Sequence, residues 1–242
     1  MSAIKTVNLI KKYKNITAVN DINLEIKQGE LFALLGVNGA GKSTMIKILS
    51  CLILPTEGEA YVDGKSVLTE SKSIKEIIGV SPQSTAVAPN LTVKENLEFI
   101  CNIHGFTKEK TAIRIDQLSK QFTLNEVMHR KAGKLSGGFQ RRVSVAMSLI
   151  CEPKILFLDE PSLGMDVIAR RELWDIISLL KVKITIILTT HYMEEAEALS
   201  DRIGIMKNGK LIAVGTSPEL QKSVQADSLE SAFIKFVMEE DQ

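Results

Sequence analysis

The chain has 242 residues, 45% hydrophobic and 24% charged, enough for one large domain or two small lobes with a packed core. A formal net charge of +1 gives no global field toward nucleic acid or anionic lipid, so no nucleic-acid partner is expected. Three scattered cysteines (Cys51, Cys101, Cys151) with no C-x-x-C pair suggest neither a zinc site nor a disulfide framework, and fit a reducing compartment.

The first residues carry no long apolar stretch, so no signal peptide is expected. No apolar run approaches the ~18 residues of a membrane span, so any membrane role must come through a partner. Residues 4–15 and 17–26 read as two strands. The second alternates apolar and polar residues (Ala18, Ile22, Leu24, Ile26), as a half-exposed antiparallel strand does. Tyr13 closes the first strand, where an aromatic is ordinarily surface or core.

Residues 30–36 (ELFALLG) read as a short buried strand, and 45–54 (MIKILSCLIL) as a helix that takes Cys51 into the core. Between them lies GVNGAGKST (36–44), which contains G-x-x-x-x-G-K-S, the phosphate-loop pattern. Gly36, Gly39 and Gly41, with Asn38 and Ala40 between, let backbone N–H groups approach an anion. Lys42 reaches β- and γ-phosphate oxygens as a point charge. Ser43 offers a hydroxyl to Mg²⁺, and Thr44 one to a phosphate oxygen. Strand, glycine loop and helix also aim the helix N-terminus at the phosphate.

Residues 59–67 form a predicted hairpin over Asp63-Gly64, and 76–83 a short strand ended by Pro82. Gln83 then lies past a strand's C-terminal end, where open α/β sheets place ligand-binding groups. From about 89 to 150 the apolar spacing becomes helical throughout, with Thr92 and Glu95 in capping-box register, which predicts an inserted helical lobe. The lobe ends with LSGGFQRRVSVAMSLI (135–150). Ser136 can cap its last helix, and the bare N–H groups there offer a second anion site.

KILFLDEP (154–161) predicts a strand buried on both faces that ends in Asp159 and Glu160. Two acids at such a point need a cation or a partner. Adjacent side chains diverge on a strand, which lets Asp159 face a metal and Glu160 a water. An amphipathic helix over 166–180 buries Leu173, Trp174, Ile176, Ile177 and Leu180, making Trp174 core. A third buried strand (183–190) ends at His191. A short acidic helix, a hairpin over Asn208-Gly209, a Pro-containing helical turn from Ser217 and a final amphipathic helix (228–238) follow.

With these residues in view, the chain resembles the nucleotide-binding subunit of an ABC transporter, from Tyr13 to about Gly215. LSGGFQ (135–140) is similar to the family's signature sequence, GVNGAGKST to its Walker A loop and ILFLDE (155–160) to its Walker B strand. Gln83, His191 and Tyr13 fall at its Q-loop, switch histidine and adenine-stacking aromatic, and SLGMD (162–166) at its D-loop. The resemblance implies a single α/β domain over 1–242. A P-loop NTPase core with a mixed, mostly parallel sheet and an N-terminal antiparallel β subdomain takes 1–88 and 151–242. An inserted α-helical signature subdomain takes 89–150, and a helical tail 217–242.

The resemblance also implies a head-to-tail dimer, homodimeric or with a paralogue, that sandwiches two ATPs. Ser136, Gly137, Gly138 and Gln140 of one subunit then close on ATP held by Lys42 of the other. Glu160 acts as general base, His191 holds the γ-phosphate and water, and Gln83 contacts Mg²⁺ and water. Ser43 and Asp159 complete the metal site, Asp159 through water, and Asp166 lies at the subunit interface. The D-loop has Met165 and Val167 where many relatives have leucine and proline, a mild departure that leaves two active sites expected. Residues 189–211 and 228–233 (SLESAF) look similar to the branch of drug, antibiotic and sodium efflux ATPases and A-type lipid exporters. Expected partners are transmembrane permease subunits, with the chain held at the cytoplasmic face of the membrane. Importer ATPases and soluble ABC ATPases acting on macromolecular assemblies are the alternatives.

Overall fold

The computed structural model describes residues 1–181 and 183–239. Its strands fall into two sheets. β1 (Ser2–Tyr13), β2 (Ile16–Lys27), β4 (Glu57–Val62) and β5 (Lys65–Ser66) make an antiparallel sheet in the order β2-β1-β4-β5. β3 (Leu31–Gly36), β6 (Ile78–Ser81), β7 (Ile155–Asp159), β8 (Thr185–Thr190), β9 (Arg202–Lys207) and β10 (Lys210–Gly215) make the other, ordered β10-β9-β3-β8-β7-β6. It is parallel except for the β9–β10 hairpin at one edge.

The second sheet explains why its strands are continuous apolar runs. On β3, Leu31, Ala33 and Leu35 enter one core while Phe32 and Leu34 enter another. β7 splits the same way, Leu156 and Leu158 against Ile155 and Phe157. With a period of two, a strand between two cores must be apolar at every position. The first core takes the helices α3 (Val93–Ile103), α4 (Lys108–Gln121), α5 (Gly137–Ser148) and α6 (Val167–Lys181). The second packs the antiparallel sheet and α1 (Lys42–Leu49) on the opposite face. α2 (Ser71–Lys75) precedes β6, and α7 (Met193–Leu199), α8 (Ser217–Ser223) and α9 (Leu229–Glu239) complete the chain.

Parallel pairing brings four strand ends to one edge. Leu35 pairs with Thr190, Asp159 with Thr189, and Ser81 with Leu158. The loops that follow β3, β6, β7 and β8 therefore emerge together, the arrangement in which open parallel sheets bind ligands.

The structure departs from the sequence reading at three places. Helix α1 begins at Lys42 and stops at Leu49, short of Cys51. Cys51 takes a left-handed φ of +56°, with its N–H on Ile48 O and that of Leu52 on Lys47 O. This is a Schellman ending with cysteine where glycine is usual, so the usual stop signal is missing. Leu52 and Leu54, expected on the helix, are exposed. In β2 the buried face runs through Val19 and Ile22 rather than Ala18, because the ladder breaks register beside Asp21 at φ +54°. At α8 the cap is Thr216, in a capping box with Glu219, rather than Ser217. The expected box of Thr92 and Glu95 is present at α3, worth about 1 kcal/mol. Residues 240–242 of the predicted tail lie outside the described residues.

Candidate active site

β3 runs directly into the glycine loop, and α1 starts at Lys42 with no side chain capping its first turn. Residues 42–44 of that turn line the loop's concavity. Gly41 holds φ +104°, and a Cβ there would come 2.1 Å from Ala18 O; one on Gly36 would come 2.5 Å from Met206 O. Glycine at both positions lets the loop lie against β2 and β9. An open cleft of about 310 Å³ follows, lined by residues 38–44 together with Ala18, Gln83 and Glu160.

Lys42 is 5% exposed and folds back over its own loop. Its Nζ donates to Gly36 O (2.7 Å) and Val37 O (3.2 Å), and pairs with Glu160 Oε1 at 3.2 Å. The second Glu160 oxygen, Oε2, lies 2.7 Å from His191 Nδ1. Glu160 is itself 4% exposed and adopts φ +50°, a conformation costly for a residue with a side chain. Its N–H is held by the carbonyl and hydroxyl oxygens of Thr189, which set the turn.

Asp159 turns to Ser43 rather than to Lys42 and His191. Its Oδ1 accepts hydrogen bonds from Ser43 Oγ (3.0 Å) and Thr189 Oγ1 (2.6 Å). Ser43 and Asp159 thus present two hard oxygen donors to one spot, and Gln83 shares the cleft. Among the described residues no cluster of three His, Cys, Asp or Glu side chains could hold a metal alone. The donor set suits Mg²⁺, which takes few protein ligands and completes its shell with phosphate and water.

The signature residues are placed elsewhere. Ser136 caps α5 through Phe139 N at 3.5 Å, and Gln140 Nε2 donates to Leu135 O at 3.0 Å. Ser136 and Gly137 are exposed, while Gly138 is packed so closely that a Cβ would come 3.0 Å from Ala169 Cβ. None of residues 135–140 lines the cleft. Tyr13, 43% exposed at the end of β1, lies outside the lining too, with Lys11 Nζ 5.2 Å from its ring centre. The Asp166 carboxylate accepts from Ala169 N (2.9 Å) at the start of α6.

Three buried residues escaped the sequence reading. Thr189 bridges Asp159 and Glu160 as described. Arg141, 4% exposed, donates to Pro82 O at 2.7 Å and to Gln83 O. Burial lowers its pKa, against the acids Asp159, Glu195 and Glu160 that raise it. Glu195 is fully buried and accepts from Trp174 Nε1 at 2.9 Å. Burial pushes its carboxyl up, opposed by the hydroxyls of Thr190 and Ser162 and by Trp174. No local signal marks Arg141: its helical stripe holds Ser144, Val145 and Ser148, which read as an ordinary part-polar face.

The family model for ABC transporters matches residues 19–163. The probable multidrug ABC transporter ATP-binding protein YbhF of Escherichia coli (strain K12) is 38% identical over 98% of this chain and 42% of its own length. The daunorubicin/doxorubicin resistance ATP-binding protein DrrA of Streptomyces peucetius is 37% identical over 94% of this chain and 69% of its own. The human phospholipid-transporting ATPase ABCA3 is 38% identical over 93% of this chain and 14% of its own. This chain thus spans less than half of YbhF and about two thirds of DrrA. Among solved structures, an ATP-binding subunit of an ABC transporter superposes with a TM-score of 0.86 at 26% identity, covering 97% of this chain and 99% of that one. The cassette MJ0796, a dimer in a post-hydrolysis state with ADP and Pi, does so at 0.80 and 30% identity, covering 88% and 98%. The resemblance to the efflux and lipid-exporter branch is matched by these relatives, and the chain belongs to the ABC transporter family as one of its ATP-binding ATPase cassettes.

Proposed function

We propose that this chain powers a membrane exporter by closing head-to-tail with a second ATPase subunit over two ATPs and passing the motion to separate transmembrane subunits. The observation that carries this reading is the separation of two phosphate-ready places. The Lys42 cleft contains Glu160 and Gln83, whereas the exposed Ser136–Gly137 end of α5 takes no part in lining it. A second copy could bring its own Ser136 and Gly138 to the open side of the cleft. The relatives named for multidrug and doxorubicin resistance favour export. Among the described residues no helix is long and apolar enough to cross a membrane, so the transported substance would pass through other subunits at whose cytoplasmic face this chain sits.

In this reading Tyr13 stacks on adenine, and the amides of residues 38–44 with Lys42 hold the phosphates. Ser43, Asp159 and Gln83 would hold Mg²⁺, which when bound neutralises charge on the phosphate oxygens. A phosphate at Lys42 competes with the carboxylate of Glu160 for the same ammonium. Glu160, freed from Lys42 but still beside His191, can then take a proton from water as general base. Residues 1–88 and 151–242 serve as the nucleotide-binding core, 89–150 as the lever, and 217–242 as an accessory tail. Loss of the shared γ-phosphate after hydrolysis removes what favours closure, and the dimer opens.

The test is Glu160→Gln. It keeps the shape and both contact distances but cannot accept a proton. Phosphate release should fall by about 10²-fold or more, with ATP-bound dimers accumulating on size exclusion. Turnover near the wild-type rate would overturn Glu160 as base. Purification from detergent-solubilised membranes without any multi-span partner would overturn the transport role.

A further inference from the structure

Helix α5 grips the end of β6 at two successive turns of one face. Arg141 donates to the carbonyls of Pro82 and Gln83, and Ser144 Oγ lies 3.2 Å from Ser81 Oγ. The guanidinium is buried at 4% exposure, and it donates to two neutral backbone carbonyls. Burying a full charge is costly; the nearby acids Asp159, Glu195 and Glu160 offset part of that cost, but the hydrogen bonds themselves go to the β6 end. The planar fork of arginine, with its rigid pair of donors, suits two adjacent carbonyls as no other side chain does. The Gln83 side chain is meanwhile exposed and lines the Lys42 cleft. One residue's backbone is thus held by the signature helix while its side chain faces the nucleotide site.

We propose that Arg141 is a positioning residue that locks Gln83 to α5, so that the signature end of the helix and the glutamine move as one body. Ser136 and Gly138 reach a partner's nucleotide from the first turn of this helix, and Arg141 sits one turn further on. Any displacement of α5 is handed to Pro82 and Gln83 through one hydrogen bond to each carbonyl, without passing through the 84–92 segment. Closure on one nucleotide thereby sets the glutamine at the other. The inference rests on the dimeric ATPase reading for its consequence, though not for the clamp itself.

The experiment compares Arg141→Met and Arg141→Lys with the wild-type chain. Methionine keeps an apolar stem of similar length but donates nothing, and lysine keeps the charge without the fork. In the nucleotide-free protein, backbone order parameters measured by NMR at residues 83–87 should fall from about 0.85 toward 0.6 in R141M, with α1 unchanged. ATP affinity should stay within about twofold, because no P-loop contact is altered, while kcat falls about tenfold or more. R141K should recover part of both losses, and it decides the matter if R141M does not fold. Wild-type order and kcat in either variant would overturn the proposal. So would a kcat loss explained entirely by a smaller folded fraction. If the wild-type chain neither binds nor hydrolyses ATP, the functional reading fails instead, and the order parameters still report on the clamp.

Discussion

The N-termini of α1 and α5 both offer bare N–H groups to an anion, yet they are built in opposite ways. At α1 the loop is shaped by glycines pressed against the backbones of Ala18 and Met206, and Lys42 is buried on three partners of its own chain. At α5 the cap is a single long contact from Ser136, and Ser136 and Gly137 face solvent. The first site is pre-organised, with its donors fixed before any ligand arrives. The second is packed underneath through Gly138 on Ala169 and bare above, and in the proposed dimer it is half a site. Pre-organisation at one end and exposure at the other suits the proposed shared nucleotide, with one subunit holding and the other closing.

The sharpest way to break this contrast is Lys42→Ala. It removes a charge-assisted donor from the holding site, and such a bond is worth about 1.5–3 kcal/mol. Equilibrium binding of ATP by the isolated chain should weaken about 10- to 100-fold, with turnover lost. Glu160 loses one of its two partners at 4% exposure, so a thermal melt should also move down. Undiminished ATP binding would mean that the amides of residues 38–44 suffice and that Lys42 is structural.

Ser136→Ala should separate the two regions by failing where Lys42→Ala succeeds. The serine does not line the cleft, so ATP affinity measured in the dilute monomer should be unchanged. ATP-driven dimerisation should weaken, and turnover at saturating ATP should fall about tenfold, the loss of one hydrogen bond to a charged group. The long cap to Phe139 N contributes at most about 1 kcal/mol to α5, which a melt of the variant will show. A monomer that binds ATP more weakly without Ser136 would put both sites on the same nucleotide.

The sequence and the structure agree on where the candidate site residues lie when an apolar run carries the signal. The strand, glycine loop and helix around Lys42, the acid pair closing β7 and the histidine closing β8 all lie at ends of continuous apolar runs. Parallel pairing then brings those ends to one edge without further information. The two part where the signal is distributed. Cys51 ends α1 in a conformation ordinarily marked by glycine, so nothing in the sequence marks the end of the helix. The bulge beside Asp21 exchanges Ala18 for Val19 in the core and leaves Ala18 against the phosphate loop. Thr189, Arg141 and Glu195 were passed over because a lone threonine, arginine or glutamate in a helix or strand looks like ordinary surface. Only tertiary packing turns them inward.

Glu195 gives the smallest expected effect. It lies on α7, just after His191, and faces Trp174 of α6, Thr190 of β8 and Ser162 in the loop leading to Asp166. Burial raises its pKa, so the folded chain keeps a proton that the unfolded chain releases above about pH 4.3. The stability this provides is fully present below that pH and is lost as pH rises toward the folded-state value. Arg141, which would favour the ionised form, and Glu160, which opposes it, are the charged groups coupled to it. Glu195→Gln cannot ionise and can still accept from Trp174 Nε1. Its melting temperature should match or fall slightly below wild type at about pH 5 and exceed it by a few degrees at about pH 8, on the order of 2–4 °C per kcal/mol for a chain of this size. A difference that stays flat across that range would mean that Glu195 is ionised in the fold.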